Sequence, residues 1–225
     1  MMVRERYSRA AALLGASRLE RFAKNRVLVV GVGGVGGWCA EALARSGVGS
    51  LTLVDDDVVA ESNLNRQCPA LVSTVGQVKV EAMKARVKAI DPDLEVTAIA
   101  ARYPSVAIPS LDGFDYIVDA IDSVDAKAQL ILSATASGVP IVSSLGAARR
   151  CDPTKVRVKR FDKVEGDALA RALRHRFKKL GKFPAAKFNC VVSEEPPADI
   201  AELGSLMTVT ATFGMCLAQE VINAS

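Results

Sequence analysis

The stretch from Arg26 to Asp57, RVLVVGVGGVGGWCAEALARSGVGSLTLVDDD, limits the possible fold of this chain more than any other feature. An apolar, β-branched run leads into a glycine-rich turn, a helical segment follows, and a second apolar run ends in acidic residues. This order predicts two parallel strands joined by a helix, with both faces of the strands covered. Strand and helix patterns then alternate up to about residue 148. The sequence therefore predicts an α/β fold with a doubly wound, Rossmann-like, mostly parallel sheet.

The two ends of the chain depart from this alternation. Residues 2–24 predict one or two amphipathic helices whose apolar face consists of Leu13, Leu14, Leu19 and Phe22. Beyond residue 148 we expect an edge strand with solvent-facing basic side chains over 155–163, and then a basic helix. The apolar run 206–222 predicts a buried helix, because it is short and rich in threonine for a membrane span. No membrane partner is expected.

The turn after the first strand has the spacing of a phosphate-binding loop. Gly31 allows the tight turn, Gly33 lets the backbone approach a phosphate, and Gly36 lets helix and strand pack closely. Gly34 leaves the turn barer still, and the helix N-terminus adds a positive end with free N–H groups. Asp55 closes the second strand 24 residues after Gly31, where a carboxylate can accept the hydroxyls of a ribose. These features alone indicate a nucleotide, with a nicotinamide dinucleotide as the default.

Charged residues that follow favour a triphosphate. Arg66 and Lys79 provide cations for the oxygens of a leaving pyrophosphate, which a dinucleotide does not need. Asp122 follows the fourth strand and can hold Mg²⁺, which takes one or two carboxylates plus phosphates. ATP and Mg²⁺ are thus the expected cofactors, and an NAD-binding oxidoreductase is an alternative.

The number and spacing of the cysteines indicate the cellular compartment of this chain. The five cysteines are scattered and never spaced as CxxC, which argues against a disulfide framework and a four-thiolate zinc site. We therefore expect a cytoplasmic protein without zinc. The charged N-terminal segment contains no apolar run long enough for a signal peptide.

Several motifs occur in one order along most of the chain: YSR, VLVVGVGGVGGW, LTLVDDD, NLNRQ, VGQVKVE, AIDPD and VDAIDS. In these motifs the chain resembles the ThiF-type ATP-dependent adenylyltransferases related to ubiquitin-activating enzyme. The resemblance implies that Asp55 holds the ribose and that Asp57 lies near the adenylate or its metal. It implies that Asn63, Arg66, Gln67 and Lys79 contact phosphates and that Asp122 binds Mg²⁺. It also implies that Arg9 reaches the phosphates of a partner subunit, so that the functional unit is a homodimer.

Two further segments, FNCVVSEEP and GSLMTVTATFGM, look like those of the tRNA threonylcarbamoyladenosine dehydratases within this superfamily. That branch implies ATP-dependent adenylation of the carboxylate of N6-threonylcarbamoyladenosine in tRNA. The acyl adenylate then cyclises, with release of AMP. The alternative is activation of the C-terminal carboxylate of a ubiquitin-like sulfur carrier, although those enzymes commonly carry two CxxC pairs. A sulfur-transfer protein is a further possible partner.

A basic segment offers a surface for tRNA. Seven basic residues lie within 17 positions: Arg171, Arg174, Arg176, Lys178, Lys179, Lys182 and Lys187. Lys and Arg can neutralise phosphates, while the interleaved His175, Phe177 and Phe183 can stack on bases. Two other interpretations stay open, a solvated basic helix and a tRNA-binding module without catalysis.

Four of these basic residues and one cysteine are the candidate substrate contacts: Arg171, Arg174, Lys178, Lys179 and Cys190. For Cys190 a packing role is the alternative, and cyclisation within one side chain requires no thioester. We interpret 1–225 as one ThiF-type domain. It comprises N-terminal helices (1–25), a nucleotide-binding core (26–148) and a basic region (149–225) that completes the core and binds the substrate and the second subunit.

Overall fold

The computed structural model describes residues 4–224 and contains one seven-stranded sheet. The strands are β1 (Arg26–Val30), β2 (Ser50–Val54), β3 (Glu95–Ile99), β4 (Tyr116–Asp119), β5 (Ile141–Ser144), β6 (Val156–Arg160) and β7 (Asn189–Ser193). Their spatial order is β3-β2-β1-β4-β5-β7-β6, and all neighbours are parallel except β7 and β6. The mostly parallel Rossmann-like sheet is therefore confirmed.

Seven α-helices of four residues or more accompany the sheet within the described range. They are α1 (Ser8–Leu14), α2 (Ala16–Phe22), α3 (Gly36–Arg45), α4 (Lys79–Ile90), α5 (Val124–Ala136), α6 (Ala168–Leu180) and α7 (Met207–Asn223). One hydrophobic cluster joins α2, α3, α4 and α7 to one face of the sheet, and a second joins α5 and α6 to the other. Since both faces are covered, the central strands are apolar without alternation, as in Val27–Val30.

Two details of the sequence interpretation differ from the structure. Leu13, assigned to the apolar face of the N-terminal helices, is 86% exposed, whereas Leu19 and Phe22 are buried. The glycine at position 15 ends α1 and starts α2, so the two helices do not share one continuous apolar stripe. Residues 2 and 3, included in that prediction, lie outside the described range.

The strand β7 was not predicted, although the edge strand β6 was. β7 lies parallel to β5 and antiparallel to β6, and therefore separates β6 from the parallel strands. β6 is at the edge, and Arg157 and Arg160 on it are exposed. Residues of the region after 148 thus extend the sheet itself.

The register of the strands brings their carboxyl ends to one edge of the sheet. Val30 pairs with Val54 on one side and Asp119 on the other. The Gly31 amide donates to Val54 and the Ala120 amide to Val30, both over 2.8–2.9 Å. The loops that follow β1, β2 and β4 consequently begin next to one another. In open α/β sheets ligands bind at this edge.

No helix among residues 4–224 has both the length and the apolar character needed to cross a membrane.

Candidate nucleotide-binding site

A cavity of about 660 Å³ lies at the carboxyl edge of the sheet. Ten of the residues expected to bind ATP or its metal line it: Gly31, Gly33, Gly34, Asp55, Asp57, Asn63, Arg66, Gln67, Lys79 and Asp122. Gly36 and Arg9 do not line it. The structure thus brings together, from five separate segments, most of the set that the sequence suggested.

The glycines of the turn have distinct tasks. Gly31 has a φ of +89°, and a Cβ there would lie 2.7 Å from the carbonyl oxygen of Ala120. At Gly36 a Cβ would lie 1.8 Å from the carbonyl oxygen of Gly31, so this residue serves the contact of helix and turn. A Cβ at Gly33 or Gly34 would meet only side chains, at 3.7 Å and 3.4 Å. Because these two positions carry no side chain, an anion can approach the N-terminus of α3.

Asp55 is oriented by the backbone around it. Its two carboxylate oxygens accept hydrogen bonds from the amides of Val32, at 2.8 Å, and Asp57, at 2.9 Å. Burial raises the pKa of Asp55 above that of an ordinary carboxyl group, although the two amides and the nearby Lys79 act in the opposite direction. The carboxylate therefore has a fixed position at the end of β2.

Lys79 is held at the cavity by Asp57. Its Nζ lies 2.7 Å from Oδ2 of Asp57, and its amide donates to the Asp57 carbonyl over 3.0 Å. A single antiparallel bridge between Val58 and Val78 joins the two segments. The Lys79 side chain is 7% exposed and that of Asp57 is 65% exposed. The lysine thus has a fixed position, and the aspartate is the partner with room to move.

The turn 61–67 carries the remaining phosphate-contact candidates. Asn63 accepts from the amide of Ala60, at 3.1 Å, and so closes the turn. Arg66 donates to the carbonyl of Ser62, at 2.9 Å, and its own carbonyl accepts from the Trp38 indole, also at 2.9 Å. The turn is therefore tied to α3.

Gln67 is almost completely buried beside Gly33. Its Oε1 atom has no hydrogen-bond partner among the residues the structure describes. A buried acceptor without a partner is costly, and functional sites are where such groups are often kept.

The acidic groups fit a divalent cation that is also bound to phosphates. Asp122 is exposed in the loop between β4 and α5, three residues beyond the end of β4, and it lines the cavity. Asp55, Asp56 and Asp57 lie close enough to share an ion. Asp55 already accepts two backbone amides, so the carboxylates of the cavity suited to hold Mg²⁺ are Asp57, its neighbour Asp56, and Asp122.

A buried ion pair that the sequence interpretation missed lies beneath this loop. Lys127 Nζ is 2.8 Å from Asp119 Oδ2, and both side chains are completely buried. Ser143 donates to the same oxygen over 2.6 Å, and Asp119 Oδ1 accepts from the amide of Ile121, at 3.1 Å. This network joins β4, β5 and α5 directly below Asp122. The sequence signal for it was a lysine in the helical segment AKAQLIL, whose only other polar residue is Gln129.

The cavity extends beyond the nucleotide residues. Arg102 and Tyr103, which follow β3, line one end of it. Residues 144–148, Leu169 on α6, and Leu203 also line it. Residues 102–103 and 144–148 follow strands β3 and β5, so the general rule for open sheets could have pointed to them, whereas Leu169 lies on α6 and Leu203 comes after β7. Their residue types carry no recognisable motif.

The candidate substrate residues are spread over α6 and β7. Lys178, Lys179 and Arg171 are exposed. Arg174 donates to the carbonyls of Phe161 and Val164, at 2.9 and 2.5 Å, and its guanidinium lies 5.1 Å from the Phe161 ring centre. This arginine therefore fastens α6 to the segment before it.

Cys190 lies in the core. Its side chain has no exposed surface, and burial raises the pKa of its thiol. In this structure the thiol has no open side from which a macromolecule can reach it.

Arg9 lies on the exposed side of α1. Tyr7, the residue before this helix, anchors it to the rest of the chain. The Tyr7 hydroxyl donates to Asp91 over 2.5 Å. Arg9 is not among the residues that line the cavity of its own chain.

The fold and the cavity define an α/β protein with a candidate nucleotide site at the carboxyl edge of its sheet. The ThiF family model matches residues 7–225, and the chain belongs to this family. It is 42% identical to tRNA threonylcarbamoyladenosine dehydratase of Escherichia coli, over 98% of this chain and 93% of that protein. It is 40% identical to the enzyme of the same name from Bacillus subtilis, over 87% and 77% of the two chains.

A solved structure shows the same architecture. The crystal structure of the E. coli dehydratase in complex with ATP superimposes with a TM-score of 0.89, at 36% identity. The alignment covers 100% of this chain and 96% of that one. The resemblance inferred from the motifs is therefore confirmed, and the chain is a homologue of these dehydratases.

Proposed function

We propose that this chain is an ATP-dependent dehydratase that acts on N6-threonylcarbamoyladenosine in tRNA. The enzyme adenylates the carboxylate of the threonylcarbamoyl group and promotes its cyclisation, with release of AMP and pyrophosphate. One observation carries the proposal: the glycine turn, Arg66, Lys79 and Asp122 meet in a single cavity. The E. coli relative that has been solved with ATP supports the same nucleotide.

The first step is a displacement at phosphorus. A carboxylate oxygen of the modified adenosine attacks the α-phosphorus of ATP, and the bond from that phosphorus to pyrophosphate breaks. Negative charge builds up on the leaving oxygens, where Arg66 and Lys79 stabilise it. The amides at the α3 N-terminus hold the remaining phosphate oxygens, and Asp55 accepts the ribose hydroxyls.

Asp122 and Asp57 would hold the metal. Mg²⁺, when bound, neutralises charge on the phosphates and aligns them. Asp57 has a second task, because its carboxylate is the partner of Lys79. When a phosphate replaces Asp57 as the partner of Lys79, the exposed Asp57 carboxylate can turn to the cation. Without a nucleotide, the ion pair keeps the Lys79 ammonium and the Asp57 carboxylate at the cavity, where the phosphates and the cation would bind.

The second step occurs within the substrate. A carbamoyl atom of the same side chain attacks the acyl carbon, the bond to AMP breaks, and one proton is lost. The carboxylate oxygen leaves with AMP, so the net change in the nucleoside is the loss of water. Residues 144–148, with Leu169 and Leu203, supply a wall of this cavity against which the acyl adenylate would lie.

The charged residues of the cavity argue against the oxidoreductase alternative. A dinucleotide diphosphate is accommodated by a helix N-terminus and backbone amides alone. Arg66, Lys79 and Asp122 would have no use in such an enzyme, and a tRNA-binding module without catalysis would leave the same three residues without a function.

Arg9 belongs to the proposal as a residue that acts on a partner subunit. It lies on the exposed side of α1, four residues before the exposed Leu13, so both are on one face of that helix. In a symmetric homodimer this face would approach the cavity of the other subunit, and Arg9 would add a third cation to its phosphates.

The proposal is tested by measuring AMP release and ATP–pyrophosphate exchange with threonylcarbamoylated tRNA. The wild type should release AMP only with the modified tRNA, and unmodified tRNA is the control. Exchange with a ubiquitin-like sulfur carrier, combined with silence towards tRNA, would overturn the substrate assignment but keep the adenylation. Silence with both substrates would overturn the proposal as a whole.

A further inference from the structure

We propose that Phe183 is a stacking platform for an unpaired RNA base, and that the lysines beside it hold the RNA backbone. The inference rests on the proposed function, since it names the part of the surface that a tRNA substrate would contact. It concerns the last turn of α6 and the loop after it, residues 178–187, which we call the 178–187 surface. Two aromatic residues in this region were equivalent in the sequence, and the structure separates them. Phe177 is 2% exposed and packs in the core, whereas Phe183 is 66% exposed.

The loop that carries Phe183 is held at both ends. Gly181 ends α6 in the left-handed conformation, with a φ of +62°, and the Lys182 amide donates to the Phe177 carbonyl over 3.2 Å. Further along, the Ala185 amide donates to the Thr135 hydroxyl over 3.1 Å. A ring displayed on such a short, anchored loop loses little conformational freedom on binding.

The far end of the loop is anchored in the core. Phe188 is buried, and its ring stacks on that of Phe161 at a centroid distance of 5.0 Å. The exposed ring of Phe183 thus lies between two fixed points, one on α6 and one at β7.

The lysines around Phe183 form no salt bridges, although Lys187 lies near enough to Asp162 to contribute to lowering the pKa of that carboxyl group. Four lysines are exposed in this stretch: Lys178, Lys179, Lys182 and Lys187. None of their ammonium groups forms a salt bridge within the part of the chain that the structure describes. Neighbouring basic residues on β6 are different, because Lys159 pairs with Glu194 and Arg160 with Asp162. Free positive charge is therefore concentrated at the 178–187 surface.

This combination fits single-stranded RNA. Lysines neutralise phosphates regardless of sequence, and an exposed ring stacks on a base that is not already paired. Double-stranded RNA is recognised mainly by shape and backbone, and an acidic protein by charge, so neither requires the ring. A single exposed phenylalanine is ordinary on its own, and the unpaired lysines and the anchored loop make this one distinct.

The helix α6 connects this surface to the cavity. Leu169, in its first turn, lines the cavity wall, and the 178–187 surface begins in its last turn. A 13-residue helix is about 20 Å long. A nucleotide loop with one base in the cavity can therefore place another base on Phe183.

The test is RNA binding by the full chain, measured by fluorescence anisotropy with a labelled anticodon stem–loop and with oligouridine. Phe183→Leu should bind both RNAs about tenfold more weakly, because an aliphatic side chain keeps the volume but loses the stack. Phe183→Trp should bind as the wild type does. Since the ring is exposed, none of these changes should alter the melting temperature.

A matched pair of lysine variants tests the charges. Lys182→Gln should make the slope of log affinity against log salt shallower by about one. Lys24→Gln, an equally exposed change before β1 and away from the cavity edge, should leave the slope unchanged.

Three results would overturn the inference. The first is wild-type affinity in Phe183→Leu. The second is displacement of RNA by polyglutamate with equal potency from the wild type and from Phe183→Leu, which would indicate a purely electrostatic surface. In both cases AMP release with modified tRNA would still support the proposed function. The third is no RNA binding by the wild type, and if AMP release with modified tRNA is absent as well, the proposed function fails with it.

Discussion

Lys79 and Asp57 form an ion pair at the cavity, with Nζ 2.7 Å from Oδ2. The two partners differ in exposure, since the lysine is almost buried and the aspartate is largely open to solvent. An exposed carboxylate contributes little to stability in such a pair. We propose that this pair serves nucleotide binding. A phosphate can replace Asp57 as the partner of Lys79, because the position of the lysine is already fixed.

Loss of Lys79 should therefore affect catalysis more than folding. Lys79→Ala should lower AMP release at least a hundredfold, the size of effect seen when a group that stabilises transition-state charge is removed. Steady-state assays with modified tRNA would measure it. Lys84→Ala, on the same helix but outside the cavity wall, is the matched control and should retain activity. Equal activities of the two variants would contradict the role of Lys79.

Substitution of different glycines in the turn should affect either the free energy of unfolding or the affinity for ATP. Gly36→Ala brings a Cβ into the Gly31 carbonyl and should destabilise the fold by about 1–3 kcal/mol or more. Gly113→Ala is the control, since nothing lies within 4 Å of a Cβ there. Gly34→Ala, at 3.4 Å from the Arg66 side chain, should weaken ATP binding with a smaller change in stability. Urea unfolding and ATP titration would measure the two effects, and a Gly36→Ala protein as stable as Gly113→Ala would contradict this account.

The buried pair of Lys127 and Asp119 should be intolerant of single changes. Asp119→Asn leaves the Lys127 ammonium buried without a counter-charge, and we expect a loss of about 3–5 kcal/mol in the free energy of unfolding. Asp162→Asn is the control, because the pair it breaks with Arg160 is exposed and its loss should not be measurable. Similar losses in both variants would show that the buried network does not stabilise the fold.

Cys190 should take no covalent part in the reaction. Burial raises the pKa of its thiol, so in the native protein at pH 8 iodoacetamide should alkylate the exposed Cys151 and spare Cys190. Peptide mass spectrometry would locate the label. Cys190→Ala should retain AMP release, and a trapped thioester on Cys190 would be the contrary result.

The anchor of the N-terminal helices should give way in acid. Burial raises the pKa of Asp91, but hydrogen bonds from Tyr7 and the Asp93 amide and the charges of Arg6 and Arg4 outweigh it, so the pKa lies below the ordinary value. A depressed pKa contributes stability above the pKa of the unfolded state, and this contribution is lost as the pH falls through the folded-state pKa. Asp91→Asn should remove that part of the acid dependence. Unfolding free energies between pH 7 and pH 3 that fall in parallel for wild type and variant would contradict it.

Local patterns allowed the nucleotide half of the site to be predicted. The turn from Gly31 to Gly36 and the acid after β2 have fixed spacings because strand, turn and helix are consecutive in the chain. The position of Lys79 at the start of α4 could be predicted from the helical pattern of VGQVKVEAMKARVKAI.

Features that depend on contacts between distant segments could not be predicted. β7 is a short strand whose partners, β5 and β6, lie more than 25 residues earlier in the chain, and nothing local distinguishes it from a loop. The Lys127–Asp119 pair requires knowledge of how α5 packs on β4. The difference between Phe177 and Phe183 follows from where α6 ends, at Gly181, and helix ends are poorly defined by sequence.

We propose that this chain removes water from threonylcarbamoyladenosine in tRNA at the expense of ATP. The most direct measurement is mass spectrometry of the nucleosides from modified tRNA after incubation with the protein, ATP and Mg²⁺. We predict that the modified nucleoside loses the mass of one water in step with AMP release, and that neither change occurs with Lys79→Ala. An unchanged nucleoside, with the wild-type protein folded and bound to ATP, would contradict the account.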